Sequence, residues 1–402
     1  MSADAPDIVI QAHASTGAST PAHVLVVDDN AMNRDVLSRR LQRNGHTVEA
    51  VEGGRQALAC LQTGKFDLVM LDIMMPDMDG YEVLAQLRQD AALAHLPVLM
   101  ISAIGATDSV VRCLTLGADD YLTKPFDPLI LRARVDAALV KKRLHDAEQR
   151  HTRSMERDLE IGRTIQAGFL PQSLPQPPGW EIAGRFIPAR QVAGDFYDTY
   201  ELPGHGIAVL VADICDKGVG AALYMALFRS LLRAGATGEC ARGSDNASIL
   251  KTAVSQTNDY IARVHERAHM FATVFFGILD PVTGRLDYVN AGHESALIVG
   301  AGTLKQALGP TAPAIGLMPD CRVEVASAVL DPGDVLFAYT DGVLDATDNG
   351  SAFGESRLIA LLSRAHASAD ALLETLGLAL ETYSAGADPF DDVTMLAVRR
   401  TG

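Results

Sequence analysis

The stretch HVLVVDD, residues 23–29, is an apolar run that stops abruptly at two adjacent acids. A helix pattern follows, with Val36, Leu37 and Leu41 on one face and Gly45 as its stop. Thr47 to Val51 reads as a strand and is followed by a helix to Leu61. KFDLVMLD, residues 65–72, repeats the opening theme, a second apolar run ending in an acid. A helix after Gly80 leads to PVLMISA (97–103), another helix reaches Gly117, DDYLTKP (119–125) is a short strand, and a last helix starts near Pro128. Strands without polar alternation are buried on both faces. Five such units in β-α order predict an α/β fold with a doubly wound, five-stranded parallel sheet. In these sheets, sites form beyond the carboxyl ends of the strands.

That rule gathers a defined set of side chains. Asp28, Asp29 and Asp72 end apolar strands, Ser102 ends the fourth and Lys124 follows the fifth. Three carboxylates in one pocket repel each other unless a divalent cation sits among them, and magnesium favours carboxylates together with phosphate oxygens. A lysine facing the pocket can neutralise an added phosphoryl group, and a hydroxyl can hydrogen-bond to it. VLVVDDN, LDIMMPDMDG, ISA and TKP, in that order across 23–140, resemble the receiver domain of two-component response regulators. The resemblance implies a flavodoxin-like fold, Asp72 as phosphoacceptor from a histidine kinase, and a Mg2+ ion held by Asp28, Asp29 and Asp72. It makes Lys124 the phosphoryl contact, with Ser102 and Tyr121 as switch residues. Tyr121 also reads as a plain core aromatic.

The 402-residue chain is long enough for two or three domains, and its formal net charge is −16. That balance disfavours a nucleic-acid surface, which needs a basic stripe. No apolar run reaches the length of a membrane span, and residues 1–22 lack a secretory leader's charged start and apolar core, reading instead as a disordered tail. Five widely spaced cysteines, without Cys-x-x-Cys, fit a reducing cytoplasm and argue against a disulfide framework or zinc. A cytoplasmic protein without membrane or nucleic-acid partners is therefore expected.

Residues 128 to about 170 read as one long helix, with HDAEQRHTRSMERD (145–158) strongly polar. Leu139, Leu144, Met155, Leu159, Ile165 and Phe169 give a patchy apolar stripe. The segment 141–178 is thus a linker, either solvated or pairing two chains as a parallel coiled coil in a homodimer. Pro171, Pro175, Pro177 and Pro178 end it. From 179 to 402 the texture changes to short strands (EIAGRFIP, GIAVLVAD, FATVFFGILD, RLDYVNAG, DVLFAYTD, VTMLAVRR) around two helical stretches, about 219–234 and 246–266. Turns such as PVTGR and DPGD predict mostly antiparallel pairing in a mixed α/β domain.

Four acidic spots stand out there: Asp195 in ARQVAGDFYD, Asp213 in VADICDKG, Asp341 in YTDG, and Asp391–Asp392 in DDVT. Strand alternation puts Asp195 and Asp198 on opposite faces, and likewise separates Asp391 from Asp392. Four converging carboxylates without histidine or cysteine suit magnesium or manganese. A pair of such ions activates water and clamps a phosphoryl group for in-line attack. Taken singly, the Asp-Gly of YTDG is an ordinary hairpin turn.

ARQVAGDFYD, VADICDKGVGAAL, MFATVFFGILD, YVNAGH, YTDGVLDA and DDVTMLAVR, in order over about 185–400, resemble the PP2C-type serine/threonine phosphatases of the bacterial SpoIIE-like group. The resemblance implies a PP2C-like β-sandwich flanked by helices, with Asp195, Asp213, Asp341 and Asp391 around two Mn2+ or Mg2+ ions and the Ile214 carbonyl as a further ligand. The segment LEIGRTIQAGFLPQSLP resembles the regulatory stretch that precedes such domains. Cys215 and Asp216 stand where small residues are usual, Ala193 where a second glycine is usual, and Glu294 and Ser295 where prolines are frequent. His293 reads equally as a substrate-orienting or a structural residue. The expected whole is a phosphorylation-controlled phosphatase acting on phosphoserine or phosphothreonine, with a phosphorylated STAS-type anti-sigma-factor antagonist as substrate. Two alternatives are a non-catalytic adaptor that binds a signalling partner and a response regulator with a DNA-binding output; the acid set disfavours the first and the charge balance the second.

Overall fold

The computed structural model describes residues 20–103, 107–348, 351–384 and 391–402. The chain divides into two compact units, Met1–Ser154 and Met155–Gly402. The tail expected for residues 1–22 lies, up to residue 19, outside the described residues; Ala22 is buried and its carbonyl accepts from Thr47 N.

The first unit alternates β1 (His23–Val27), α1 (Ala31–Arg43), β2 (Thr47–Val51), α2 (Gly54–Thr63), β3 (Leu68–Asp72), α3 (Gly80–Gln89), β4 (Val98–Ala103), α4 (Thr107–Thr115), β5 (Asp120–Lys124) and the greater part of α5 (Pro128–Ala167), whose last residues belong to the second unit. All strands pair in parallel in the order β2-β1-β3-β4-β5. β1 and β3 are buried because both faces of the sheet are covered. Leu25, Val27, Val69 and Leu71 pack toward α2 and α3, while Val24, Val26, Leu68 and Met70 pack toward α1 and the start of α5. Two caps fix helix entries at the functional end. Asn30 accepts from Met32 N and Asn33 N, and Asp79 and Glu82 form a reciprocal capping box. Within α5, Leu131, Val135 and Leu139 are buried, whereas Leu144, Met155, Ile161 and Ile165 are exposed.

The second unit contains β6 (Trp180–Ile187), β7 (Phe196–Leu202), β8 (Gly206–Ile214), α6 (Val219–Ala241), α7 (Asn246–Val264), β9 (Ala272–Leu279), β10 (Arg285–Ala291), β11 (Ala296–Gly300), β12 (Thr303–Leu308), β13 (Ala326–Val329), β14 (Val335–Tyr339), α8 (Gly342–Asp345), the short ladder β15 (Thr347–Asp348) with β16 (Ser351–Ala352), α9 (Gly354–Leu362), α10 (Ala369–Tyr383) and β17 (Val393–Arg400). One antiparallel sheet runs β13-β10-β9-β8-β7 and the other β12-β11-β14-β17-β6. Val209, Val211, Phe275, Leu336, Leu396 and Val398 fill the space between the sheets. α6 and α7 cover the outside of the first sheet through Phe228, Leu232, Ile249 and Val254. α9 and α10 cover the second through Leu358, Leu372, Leu376 and Leu380. The product is a four-layer helix-sheet-sheet-helix sandwich.

The sequence reading foresaw α6 and α7, although α6 continues to Ala241 rather than stopping near 234. It did not foresee α8, α9 or α10. α10 begins at Ser368, whose hydroxyl accepts from Ala371 N, and its buried Leu372, Leu373, Leu376 and Leu380 recur at helical spacing. Among the described residues, no helix is long and apolar enough to cross a membrane.

Candidate active site and phosphoacceptor site

At the carboxyl edge of the parallel sheet, Asp28, Asp29 and Asp72 bring carboxylate oxygens within 4.8 Å of one another. Asp28 and Asp72 are buried and Asp29 is exposed, so the cluster has one open side. Lys124 Nζ lies 2.8 Å from Asp72 Oδ2 and 2.9 Å from Asp28 Oδ2. Asn30 N and Asn33 Nδ2 donate to Asp28 Oδ1, and Arg34 donates to the carbonyls of Asp28 and Asp29, which locks the β1–α1 turn. Burial raises the Asp72 pKa against the hydrogen bond from Lys124, and the Asp28 charge raises it further. Burial works against the Lys124 ammonium, but hydrogen bonds to Asp72 and Asp28 outweigh it and raise its pKa. Ser102 is buried on β4, next to β5. Tyr121 is half-buried, with the Arg134 guanidinium 5.0 Å from its ring centre. These residues fit a divalent ion: three carboxylates, one lysine, and a solvent-facing side.

In the second unit, antiparallel pairing brings distant segments to one end of the sandwich. Asp195 immediately precedes β7, and Asp213 is the penultimate residue of β8, opposite Thr273. Asp341 follows the end of β14, and Asp391 and Asp392 precede β17. Asp195 is buried, and its Oδ2 accepts from Thr340 Oγ1 (2.6 Å) and Thr394 Oγ1 (3.0 Å), both from the opposite sheet. Burial, then the charge of Asp213, pushes the Asp195 pKa well up. Burial, then Asp341, pushes Asp213 up to about 7 despite a hydrogen bond with Asp195. Asp341 is raised by burial and by Asp391. Among the described residues no three of these acids close to the tightness of Asp28, Asp29 and Asp72. They form a broader, electrostatically linked group. The donor set, all carboxylate with shared negative charge, fits hard divalent cations.

The neighbouring acids have other work. Asp392 is buried and accepts from Ala189 N (2.8 Å) and Gly194 N (3.0 Å), holding the loop that carries Asp195. Asp198 lies on the opposite face from Asp195, where Arg229 and Arg233 pair with it at 3.0 Å from α6 and Arg233 stacks over Tyr200. These guanidinium groups are its partners, because a carboxylate with no exposure needs paired charge. YTDG is not a hairpin: Gly342 opens α8, and a Cβ there would meet Asp392 O at 2.0 Å. Gly194 likewise packs on the Ile214 carbonyl, which a Cβ would approach to 2.9 Å.

The flagged departures also resolve. Asp216 has φ 76°, a region that Asp tolerates, and its carboxylate accepts from Lys217 N. The Cys215 sulfur accepts from Phe271 N, and burial raises its thiol pKa. His293 is buried, and burial lowers its pKa to about 4, so it is a neutral ring. Its Nδ1 lies 2.8 Å from Thr273 Oγ1, which makes it a prop behind the strand opposite Asp213. Glu294 and Ser295 follow a turn fixed by Asn290, which accepts from His293 N and donates to the Glu294 and Leu308 carbonyls.

Sequence reasoning missed Gln166. Its buried side chain donates to Ala193 O (2.6 Å) and accepts from Ala193 N (3.1 Å), two residues before Asp195. This amide pairing fixes the backbone that presents Asp195. Losing such outer support costs about 10- to 100-fold at metal sites. Gln166→Ala is therefore expected to lower metal-dependent turnover by about tenfold, with Gln166→Glu unable to restore it. Steady-state phosphate release checks this, and an unchanged rate would detach Gln166 from the site.

The chain belongs to the response regulators: the response regulator receiver domain model matches residues 24–136, and the Stage II sporulation protein E (SpoIIE) model matches residues 203–401. Protein IcfG of Synechocystis sp. is 42% identical over 263 residues, 60% of this chain and 41% of that protein. Response regulator MprA of Mycolicibacterium vanbaalenii is 38% identical over 157 residues, 38% of this chain and 67% of that protein. The chain spans less than half the length of the first curated relatives it matches, 41% and 47%. The solved SiaA-PP2C domain of Pseudomonas aeruginosa superposes with a TM-score of 0.52 at 24% identity, covering 62% of this chain and 98% of that one, and thus shares the sandwich fold.

Proposed function

We propose that the chain is a phosphorylation-controlled, metal-dependent serine/threonine phosphatase. The observation that carries this reading is the meeting of Asp195, Asp213, Asp341 and Asp391 at one end of the sandwich, in a chain that also holds the Asp72 cluster. Two divalent ions, Mn2+ or Mg2+, would lower the pKa of water and clamp the phosphoryl group for in-line attack. Asp195 and the Ile214 carbonyl would help hold one ion, Asp341 and Asp391 the other, and Asp213 would serve both. Thr340 and Thr394 fix the orientation of Asp195, and Asp392 and Gln166 hold its loop.

At the other site Asp72 would take a phosphoryl group from a histidine kinase, with Mg2+ held by Asp28, Asp29 and Asp72 and the new charge met by Lys124. Ser102 and Tyr121 would report the change, and the linker of 141–178 would convey it within a cytoplasmic homodimer. A phosphorylated STAS-type protein as substrate follows the family resemblance. The test is phosphate release from an aryl phosphate and from phosphoserine proteins, with Mn2+ and then with chelator, and with and without an acyl-phosphate donor. Chelator-sensitive release that responds to the donor is expected. Absence of release under every condition would favour the adaptor.

A further inference from the structure

Lys217 lies in the loop between Asp213 and α6, and its Nζ is 2.8 Å from Asp391 Oδ2. The pair is about a quarter to a third exposed, 31% for Lys217 and 25% for Asp391, so solvent screens it only partly. Its loop is short and pinned at both ends. Cys215 N donates to Phe271 O and its sulfur accepts from Phe271 N, and α6 starts at Val219. The positive φ of Asp216 and of Gly218, 76° and 88°, turns the intervening residue back toward the acids. Asp216 secures that turn by accepting from Lys217 N at 2.8 Å. Lys217 also offsets part of the charge around Asp341. Its ammonium therefore faces the two acids assigned to one side of the metal centre, while Asp195 is held by threonine hydroxyls on the other.

We propose that Lys217 is a built-in competitor for one of the two ions: it holds Asp391 in the ion-free chain and must release that carboxylate before the ion on the Asp341–Asp391 side can bind. This rests on the reading of the four carboxylates as a two-ion centre. The two ions then differ in affinity for a local reason. The Asp195 side is oriented by neutral hydroxyl donors. The Asp391 side exchanges one cation for another. Lys217 thereby sets the free-ion concentration at which the second ion enters.

The test is Mn2+ binding to the full chain, with free Mn2+ counted by its paramagnetic resonance signal. The ion belonging to the receiver site is counted separately in Asp213→Asn. Lys217→Met is expected to tighten the weaker of the remaining binding steps by roughly tenfold, as the loss of a nearby positive charge and of an ion pair implies. Lys217→Arg keeps the pair and stays near the wild-type value. Arg190→Met removes the same charge from an exposed position on the loop before Asp195 and is expected to shift neither step by more than about twofold. An unchanged weak step in Lys217→Met overturns the proposal, as does equal tightening in Arg190→Met. A wild-type chain that takes up no more Mn2+ than Asp213→Asn overturns the two-ion centre and this proposal together. Two ions bound with identical affinity in wild type and Lys217→Met overturn only the role of Lys217.

Discussion

Asp213→Asn drops Mn2+-dependent phosphate release at least about a thousandfold, an activation penalty of about 4 kcal/mol. The size follows from position. Asp213 is the acid that feels Asp195, Asp341, Asp391 and Asp392 together, and so it sits where one carboxylate would serve both ions. Asparagine keeps the shape and removes the charge. The fold is expected to survive, since the carboxylate is a strained occupant without an ion. Its native pKa of about 7 lies above the ordinary carboxylate value of 3.8. The native state thus binds its proton more tightly than the unfolded state between those values, and ion-free stability falls as pH rises through that range. The amide removes that loss, so ion-free Asp213→Asn at pH 8 melts at or above wild type by calorimetry. Retained turnover in Asp213→Asn would remove Asp213 from the centre.

Asp72→Asn eliminates labelling by an acyl-phosphate donor and, with it, any change in phosphate release on adding the donor. Asp72 is 4% exposed and has Lys124 and Asp28 as immediate neighbours. An amide there cannot form an acyl phosphate, and the exposed Asp29 has no such setting. Basal release is expected to continue, because Asp195, Asp213, Asp341 and Asp391 all belong to the other compact unit. Intact-mass measurement and a paired phosphatase assay read both outcomes. Continued labelling in Asp72→Asn would move the acceptor to another side chain, and a donor response without labelling would disconnect control from this aspartate.

How far these sites are legible depends on the signal each residue leaves. β1 and β3 are legible because a strand covered on both faces must be continuously apolar, and the acids that end them stand out against that run. The division between Asp195 and Asp198 follows from side-chain alternation alone. The partners of Asp198 do not, since Arg229 and Arg233 are 31 and 35 residues away in sequence. α10 is less legible because its leucines do not keep to one face: Leu372, Leu373, Leu376 and Leu380 are buried while Leu378 is exposed. Gln166 was hidden by a contrary signal. The apolar Ile161 and Ile165 face outward, while the polar Gln166 turns inward to pair with backbone. Hydrophobic periodicity ranks those residues in the opposite order. A glutamine buried by its own hydrogen bonds leaves no trace in such a pattern.

The polar ties at the active end have a thermodynamic meaning of their own. Asp195 reaches from one sheet to threonines of the other, and Asp392 reaches back from the second sheet to the loop before β7. The proposed catalytic end is thus sutured by the same segments that carry the four acids. Ion uptake by the proposed centre and closure of the two sheets would be one linked equilibrium, in which each raises the population of the other. In the proposed phosphatase, a chain whose sheets have parted would keep no half-built centre.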